Sequence, residues 1–463
     1  MIRLFRVFVP VGSLALLSSE ILLIVSSYVL ASYAILRVDP TVFLLYDRGL
    51  VRILLILASI LVGMHFQDLY SKIYVRSRGV LAQQLCMVIG IAFMAQALVG
   101  YLDAGLRLPI RVMVLGSTLT VAAVFAWRIF FSAHVLRMVA QERLLLIGTS
   151  PLLEDIGKHI EEHPETGLQV VGYVGSGEEA GTAMAGGTAL GPMASLREIV
   201  QATNPNRIVV GMTERRARVP VGELLELRFA GHIIEEAAST YENVCGRVCL
   251  KELRPAQLIY SGELGPRRAT MFYQTMVNVA LAAIGVVAAA PIMLLTALAV
   301  RLTSAGPALY RQVRVGLGGI PFTLYKFRSM RADAEAETGA VWASKNDPRV
   351  TGLGRTIRKL RIDEIPQLFN VLKGEMSLVG PRPERPEMVR ALAEEIPYYQ
   401  HRHCVRPGIT GWAQVNYKYG DTLEDTIHKL EYDLYYIKNM SPSLDSYIIF
   451  LTVKAMLLSR GSQ

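Results

Sequence analysis

The sequence predicts a membrane-embedded helical region joined to an α/β module and then to a C-terminal domain of helices with small β elements. Three observations lead there. The chain of 463 residues is 52% hydrophobic and only 19% charged, too apolar for an ordinary soluble protein. Four long apolar stretches open it, and short apolar runs ending in glycine alternate with helical pattern in its middle. Beyond a fifth apolar stretch the texture turns polar and strongly basic, within a formal net charge of +9 and a pI near 9.3.

The apolar stretches near 11–33, 50–66, 80–101 and 109–131 are each about long enough to cross a bilayer, which gives a four-helix transmembrane bundle over 1–140. The first is followed by no small-residue cleavage site. Arg3 and Arg6 precede it, Lys72, Arg76 and Arg78 lie in the second connection, and Arg137 and Arg143 follow the fourth stretch. This distribution puts both ends of the bundle in the cytoplasm, although Arg107 and Arg111 weaken the bias. Glu20 reads as an isolated acid turned toward other helices.

From Arg143 the runs Leu144–Ile147, Val170–Val174 and Arg207–Val210 alternate with helical stretches, which predicts a Rossmann-like parallel α/β module over 141–265. A dinucleotide site would need G-x-G-x-x-G after the first strand; the turn here is Gly148-Thr149-Ser150-Pro151-Leu152, and no Tyr-x-x-x-Lys pair exists. The module therefore reads as regulatory or as a homodimer contact rather than a dehydratase. The glycine-rich stretch around Gly175-Ser176-Gly177 and Gly186-Gly187 reads as a surface loop.

The fifth apolar segment, about 276–300, is interrupted by Ala290-Pro291, where proline removes a hydrogen bond and forces a kink. The strand Phe322–Tyr325 follows, and alternation sends the basic side chains of Lys326 and Arg328 to one face. Next, Ile365, Leu368, Phe369 and Leu372 fall at helical spacing, Pro366 suits a first turn, and Gly374 sits where a C-terminal cap belongs. Asp363 and Glu364 then stand at a helix N-terminus whose unpaired N–H groups favour anions, flanked by Arg355, Arg358, Lys359 and Arg361. Adjacent residues on a helix diverge, so one acid would attack while the other holds a metal or steers the first. An N-cap and a first-turn acid would give the same pattern with no chemistry.

Further on, Pro381 and Pro383 hold Arg382 in extended backbone, fixing a planar fork that suits two phosphate oxygens. The segment Arg406–Asn416 pairs turn formers with Thr410, Gln414 and Asn416, a set fit for sugar or uridine recognition, while Trp412 reads equally as core. His401 and His403 lack a third ligand and read as surface residues. The four cysteines have no paired spacing and read as reduced thiols, with no structural metal. The apolar tail from Tyr447 to Leu458 is too short to span and should lie in the interface, Lys454 and Arg460 on its polar side.

The run Asp363–Pro383, with Lys326-Phe327-Arg328-Ser329-Met330 upstream and Arg406–Asn416 downstream, resembles the bacterial sugar transferase family, the monotopic polyprenol-phosphate phosphoglycosyl transferases. The resemblance runs from about Val277 to the C-terminus; the upstream half looks like the large members that add a membrane bundle and a nucleotide-fold-like module. It implies a catalytic domain over 266–463, entered by a re-entrant helix whose usual Ser-Pro break is Ala290-Pro291 here. It also implies transfer of a hexose 1-phosphate from a UDP-sugar to undecaprenyl phosphate, with Asp363 as nucleophile and Mg²⁺ held by Asp363 and Glu364. Lys326, Arg328, Arg358 and Arg382 become phosphate contacts. Membrane lipids are the remaining partner, nucleic acid is not expected, and the site is expected on the cytoplasmic face of a bacterial inner membrane. A membrane-attached basic scaffold would explain the charge and the helices, but it needs no acid pair beside Pro-Arg-Pro.

Overall fold

The computed structural model describes the chain except residues 1, 5–6, 10, 37–38, 71–74, 76, 136–141, 149, 176–177, 179, 212–219, 251–267, 332–333, 335–348, 418–421 and 459–463. Arg6, Lys72, Arg76, Arg137, Arg267, Arg460 and the Ser176-Gly177 pair lie outside the described residues. The chain divides into two compact units, one made mainly of residues 8–240 and the other mainly of 241–463. Residues 241–250, which the sequence reading assigns to the α/β module, pack in the second unit: Val248 N–H donates to the Glu431 carbonyl, and Leu250 N–H to the Glu431 carboxylate.

In the first unit the apolar stretches form α1 (Val11–Ile35), α2 (Gly49–Phe66), α3 (Arg78–Leu102) and α4 (Ile110–Phe130). Each is long and apolar enough to cross a membrane, the last with its π-helical extension to Val135. They share one buried core that includes Ile24, Ile56, Val88 and Val124. Close approach of α1 and α4 depends on Gly116, where a Cβ would come within 2.4 Å of the Tyr28 ring, and Tyr28 Oη meets Ser117 Oγ at 2.8 Å. Glu20 is not isolated. It is fully buried: its Oε2 accepts from Arg128 Nη2 at 3.1 Å and its Oε1 lies 2.6 Å from Arg128 Nε in the ion pair, while Arg128 Nη1 donates to the Leu69 carbonyl. A charge removed from water needs such a partner, and the sequence reading missed it because the two residues are 108 positions apart.

The same unit holds a six-stranded mixed sheet of β1 (Glu142–Ile147), β2 (Leu168–Val174), β3 (Ala183–Met184), β4 (Gly187–Gly191), β5 (Arg207–Val210) and β6 (Ile233–Glu236). Its order is β3-β4-β2-β1-β5-β6, and only the β3–β4 pair is antiparallel. β1 is central and Leu144–Ile147 are fully buried, which explains its unbroken apolar run. At its end Gly148 takes φ 120° and Ser150 caps the helix Pro151–Glu162. Leu153 fills the space over Gly211, where an added Cβ would lie 2.8 Å from its Cγ.

The second unit is built on α5 (Arg268–Thr303), a 36-residue helix. The sequence reading expects an interruption at Ala290-Pro291, but the helix continues through Pro291. One proline removes a single rung of the ladder, and turns on both sides can carry the helix past it. Beside α5 stand the antiparallel hairpin β7 (Leu309–Val315) and β8 (Pro321–Phe327), then α6 (Gly352–Lys359) and α7 (Gln367–Leu372). The parallel pair β9 (Ser377–Val379) and β10 (Gly408–Thr410) follows, with α8 (Leu423–Asn439) and α9 (Pro442–Leu457) closing the core through Leu434, Tyr436, Leu444 and Ile448. Thr422 and Asp425 form a capping box that starts α8, and Ser441 caps α9. Lys454 lies buried rather than on an outer polar side, because α9 packs against the β9–β10 pair and its Thr452 meets Thr410 at 2.7 Å.

Candidate active site

The site grows from the join between α6 and α7. Thr351 caps α6 by accepting from Gly354 N–H, and Gly354 lies so close to Ser329 that a Cβ would meet its carbonyl at 1.9 Å. At the far end Arg361 takes φ 56°, an uncommon left-handed conformation for a non-glycine residue and one that marks strain at functional positions. The acids then sit in a 3-10 turn, Ile362–Glu364, and not in the first turn of one continuous helix. Pro366 has no N–H to offer the Ile362 carbonyl, so the bonds here run to the third residue: Ile365 to Ile362, Leu368 to Ile365 and Phe369 to Pro366. Gly374 takes φ 75° just beyond α7.

The apolar stripe is not the buried face of α7. Gln367, Asn370 and Val371 are buried, whereas Phe369 is 41% exposed. Asn370, fully buried, was missed in the sequence: its amide nitrogen donates to the Thr323 carbonyl and to Glu375, and its oxygen accepts from Tyr325 N–H. It therefore locks α7 onto β8, the strand that carries Lys326. A polar pair three apart, Gln367 and Asn370, was the available signal.

Lys326 Nζ donates to Glu364 Oε1 at 2.9 Å. Arg382 Nη2 approaches the same oxygen at 3.5 Å, and Arg361 Nη1 lies 3.4 Å from Oε2. Burial alone would raise the Glu364 carboxyl, but Lys326, Arg382 and Arg361 outweigh it and hold the group well below the usual carboxylate range. Burial also pushes the Lys326 ammonium below its ordinary value, with Glu364 pulling it back. Asp363 responds in the opposite sense. Only 8% exposed, it is raised above the ordinary value by burial and by the Glu364 charge, against Lys326, Arg358 and Arg361. Among the described residues no hydrogen bond reaches the Asp363 carboxylate.

Of the residues singled out in the sequence, the structure gathers Lys326, Arg358, Asp363, Glu364 and Arg382; Arg358 is steadied by its Nε bond to Ser329 Oγ at 2.8 Å. Arg328 turns elsewhere: its Nη2 donates to the carbonyl and the hydroxyl of Ser304 at the end of α5, both at 2.8 Å, where a cation suits the helix C-terminus. Phe327 ends β8, so strand alternation no longer governs Arg328. Thr410 is engaged by Thr452, and Asn416 donates to the Trp412 carbonyl. Gln414 Oε1 is buried with no hydrogen bond among the described residues. Trp412 is core: it stacks on Tyr435 and donates to the Gly246 carbonyl.

No cluster of three or more His, Cys, Asp or Glu that could hold a metal occurs among the described residues. Two adjacent carboxylates still fit a magnesium ion carried mainly by a substrate's phosphates. Asp363 has its lone pairs uncommitted, and Glu364 is held by two long contacts besides its bond to Lys326. A buried carboxylate free of hydrogen bonds among the described residues, beside one held in its charged form and ringed by guanidinium and ammonium groups, has the chemistry to attack phosphorus and steady its oxygens.

The family model described as bacterial sugar transferase matches residues 269–459. The chain is 46% identical over 222 residues to the UDP-N-acetylgalactosamine-undecaprenyl-phosphate N-acetylgalactosaminephosphotransferase of Aeromonas hydrophila, covering 48% of this chain and 52% of that protein. It is 31% identical over 332 residues to the UDP-glucose:undecaprenyl-phosphate glucose-1-phosphate transferase of Xanthomonas campestris pv. campestris, covering 68% and 66%. With the protein of the same description from Caulobacter vibrioides it shares 42% identity over 194 residues, 42% of this chain and 72% of that one. The first of these matches thus spans about half of its relative's length. The matched segment contains every residue of the Lys326, Arg358, Asp363, Glu364 and Arg382 group, and this chain belongs to the bacterial sugar transferase family.

Proposed function

We propose that this protein transfers a hexose 1-phosphate from a UDP-sugar to undecaprenyl phosphate, releasing UMP, as an initiating step of exopolysaccharide or O-antigen synthesis. An Asp363 carboxylate oxygen attacks the sugar-linked phosphorus, the bridge to the UMP phosphate breaks, and a phosphosugar stays on Asp363 as an acyl phosphate. An oxygen of the lipid phosphate then attacks that phosphorus and restores the carboxylate. The observation that carries this reading is the opposed state of two neighbours: Asp363 is raised and, among the described residues, takes no hydrogen bond, while Glu364 is pinned in its charged form by Lys326, Arg382 and Arg361. Lys326 and Arg382 keep Glu364 in place and present positive charge to the diphosphate, and Arg358 does so from the Asp363 side, while Arg328, bonded to Ser304 at the end of α5, is left out of the phosphate contacts. Magnesium on Asp363, Glu364 and the diphosphate would supply charge neutralisation. Thr410, Gln414 and Asn416 are assigned to sugar or uridine recognition.

In this reading residues 266–463 form the catalytic domain, with 241–250 packed in the same unit, 1–140 a transmembrane bundle and the α/β part of 141–265 a regulatory or dimer-forming module. The domain faces the cytoplasm, where UDP-sugars are made, and α5 enters and leaves by one leaflet. A straight helix of α5's length would extend about 54 Å, well beyond the roughly 30 Å of hydrocarbon. Arg268 stands at one end, with Arg301, Arg311 and Arg314 at or beyond the other, so the positive-inside bias asks for both ends on one side, with Pro291 as the bend. The deciding assay incubates membranes containing the protein with common UDP-sugars, Mg²⁺ and polyprenyl phosphate. UMP and a lipid-linked sugar diphosphate are expected; no UMP with any of them would leave a membrane scaffold as the better account.

A further inference from the structure

The backbone carrying Arg382 is held at every carbonyl. Pro381 O accepts from Gly408 N–H at 2.9 Å, and Arg382 O from Arg402 Nη2 at 2.9 Å. Pro383 O accepts from Arg314 Nη1 at 3.0 Å and Glu384 O from Val315 N–H at 2.9 Å. Two of these donors are buried or half-buried guanidinium groups, so the loop is set by charge as well as by its prolines. Arg402 is the better anchored. It is 7% exposed; Nε and Nη2 both donate to Asp433 Oδ2, at 3.1 and 2.7 Å, and Nη1 donates to Tyr399 Oη at 2.8 Å.

A buried, paired guanidinium is an expensive way to hold one carbonyl, since its desolvation has to be offset by good geometry. A lone neutral donor would satisfy that carbonyl equally well. What the arrangement adds is rigidity: the planar fork spans α8, the turn at Tyr399 and the Arg382 backbone, so these three move as one piece. We propose that Arg402, backed by Asp433, is a positioning residue for the transfer reaction, fixing the Arg382 backbone so that its guanidinium stays on Glu364. This rests on the function proposed above for its consequence in turnover, and on geometry alone for its effect on Arg382.

The test uses the full chain in membranes and two readouts. Arg402→Lys keeps the charge and loses the fork. Phenylglyoxal should then modify the Arg382 guanidinium several-fold faster than in the wild type, with exposed Arg197 unchanged as the reference. In the transfer assay, kcat/KM should fall about tenfold to a hundredfold, the scale of a small misplacement near a reacting centre. In an Arg382→Ala background the same change should cost no more than about twofold, because residues acting as one unit are not additive. An unchanged rate at Arg382, or an equal loss in both backgrounds, overturns the proposal. Should the wild type yield no UMP, the proposed function falls while the modification rates still decide the positioning. If Arg402→Lys has lost the cooperative thermal unfolding transition of the wild type, the variant has unfolded, and Asp433→Asn replaces it: faster modification of Arg382 supports the proposal and an unchanged rate overturns it.

Discussion

Lys326 and Glu364 form a 2.9 Å ion pair between the end of β8 and the 3-10 turn, and Asp363, the residue before Glu364, lies outside that pair. Two carboxyls adjacent in sequence are thereby driven in opposite directions by what surrounds them.

The first prediction turns this into stability. Asp363 is raised on folding, so the native state holds its proton more tightly than the unfolded chain. Its contribution then worsens as pH climbs from the ordinary carboxylate value through the raised native one, and the full deficit remains above that. Asp363→Asn should raise the thermal midpoint at neutral pH while abolishing turnover. Glu364 is depressed, so its stabilisation is complete above the ordinary carboxylate value and is lost progressively as pH falls from there through the much lower native value. Glu364→Gln should lower the midpoint at neutral pH and also impair turnover. Thermal unfolding of purified protein across pH, with the two variants shifting in the same direction, would contradict the assignment.

Asn370→Ala leaves the Tyr325 N–H and the Thr323 carbonyl without a partner under α7. The expected loss is about 1 to 3 kcal/mol for each buried group left unsatisfied, and Lys326 should loosen with its strand. Denaturant unfolding in detergent measures the first effect and the transfer assay the second. A variant as stable and active as the parent would remove Asn370 from the account.

In the membrane helices, Glu20→Gln strands the Arg128 guanidinium. Breaking one side of a buried pair costs about 3 to 5 kcal/mol, whereas an apolar pair of similar volume can be nearly neutral. The single variant should accumulate poorly, and Glu20→Leu with Arg128→Met should recover much of the folded yield. Folded yield is read by size-exclusion chromatography of detergent extracts, and equal yields for the single and double variants would argue against the pairing.

What was legible in the sequence followed from hydropathy and from short-range pattern. The ends of α1 to α4 fall within a few residues of the apolar stretches because the stretches are long and their flanks polar. The β1, β2 and β5 runs were visible because central strands are buried on both faces. The partners that complete the charges were not visible. Arg128 reaches Glu20 across more than a hundred residues, and Asn370 bonds β8 from 45 residues away. The 3-10 turn at Asp363 was foreseeable from Pro366, whose missing N–H breaks the helical ladder there, but periodicity alone favoured a continuous helix. Arg328 was misdirected because its strand ends one residue earlier.

The topology proposed for α5 is checked with single cysteines, Arg268→Cys and Ile320→Cys, in a background lacking the four native ones. Ile320 is 70% exposed at the β7–β8 turn and so reports well. Both sites should resist an impermeant thiol reagent in intact cells and react once the inner membrane is opened. Reaction of Ile320→Cys alone, in cells with only the outer barrier permeabilised, would show that α5 crosses the bilayer.

The most direct test of the central claim asks whether Asp363 carries the sugar phosphate. Membranes are incubated with a UDP-sugar labelled in its sugar-linked phosphate and with Mg²⁺, without lipid acceptor, and the denatured protein is digested and examined by mass spectrometry. A hexose phosphate on the peptide containing Asp363, formed together with UMP, lost on adding polyprenyl phosphate and absent from Asp363→Asn, is the predicted result. UMP that forms only when the lipid acceptor is present, with no adduct on the protein, or an adduct that persists in Asp363→Asn, would contradict it.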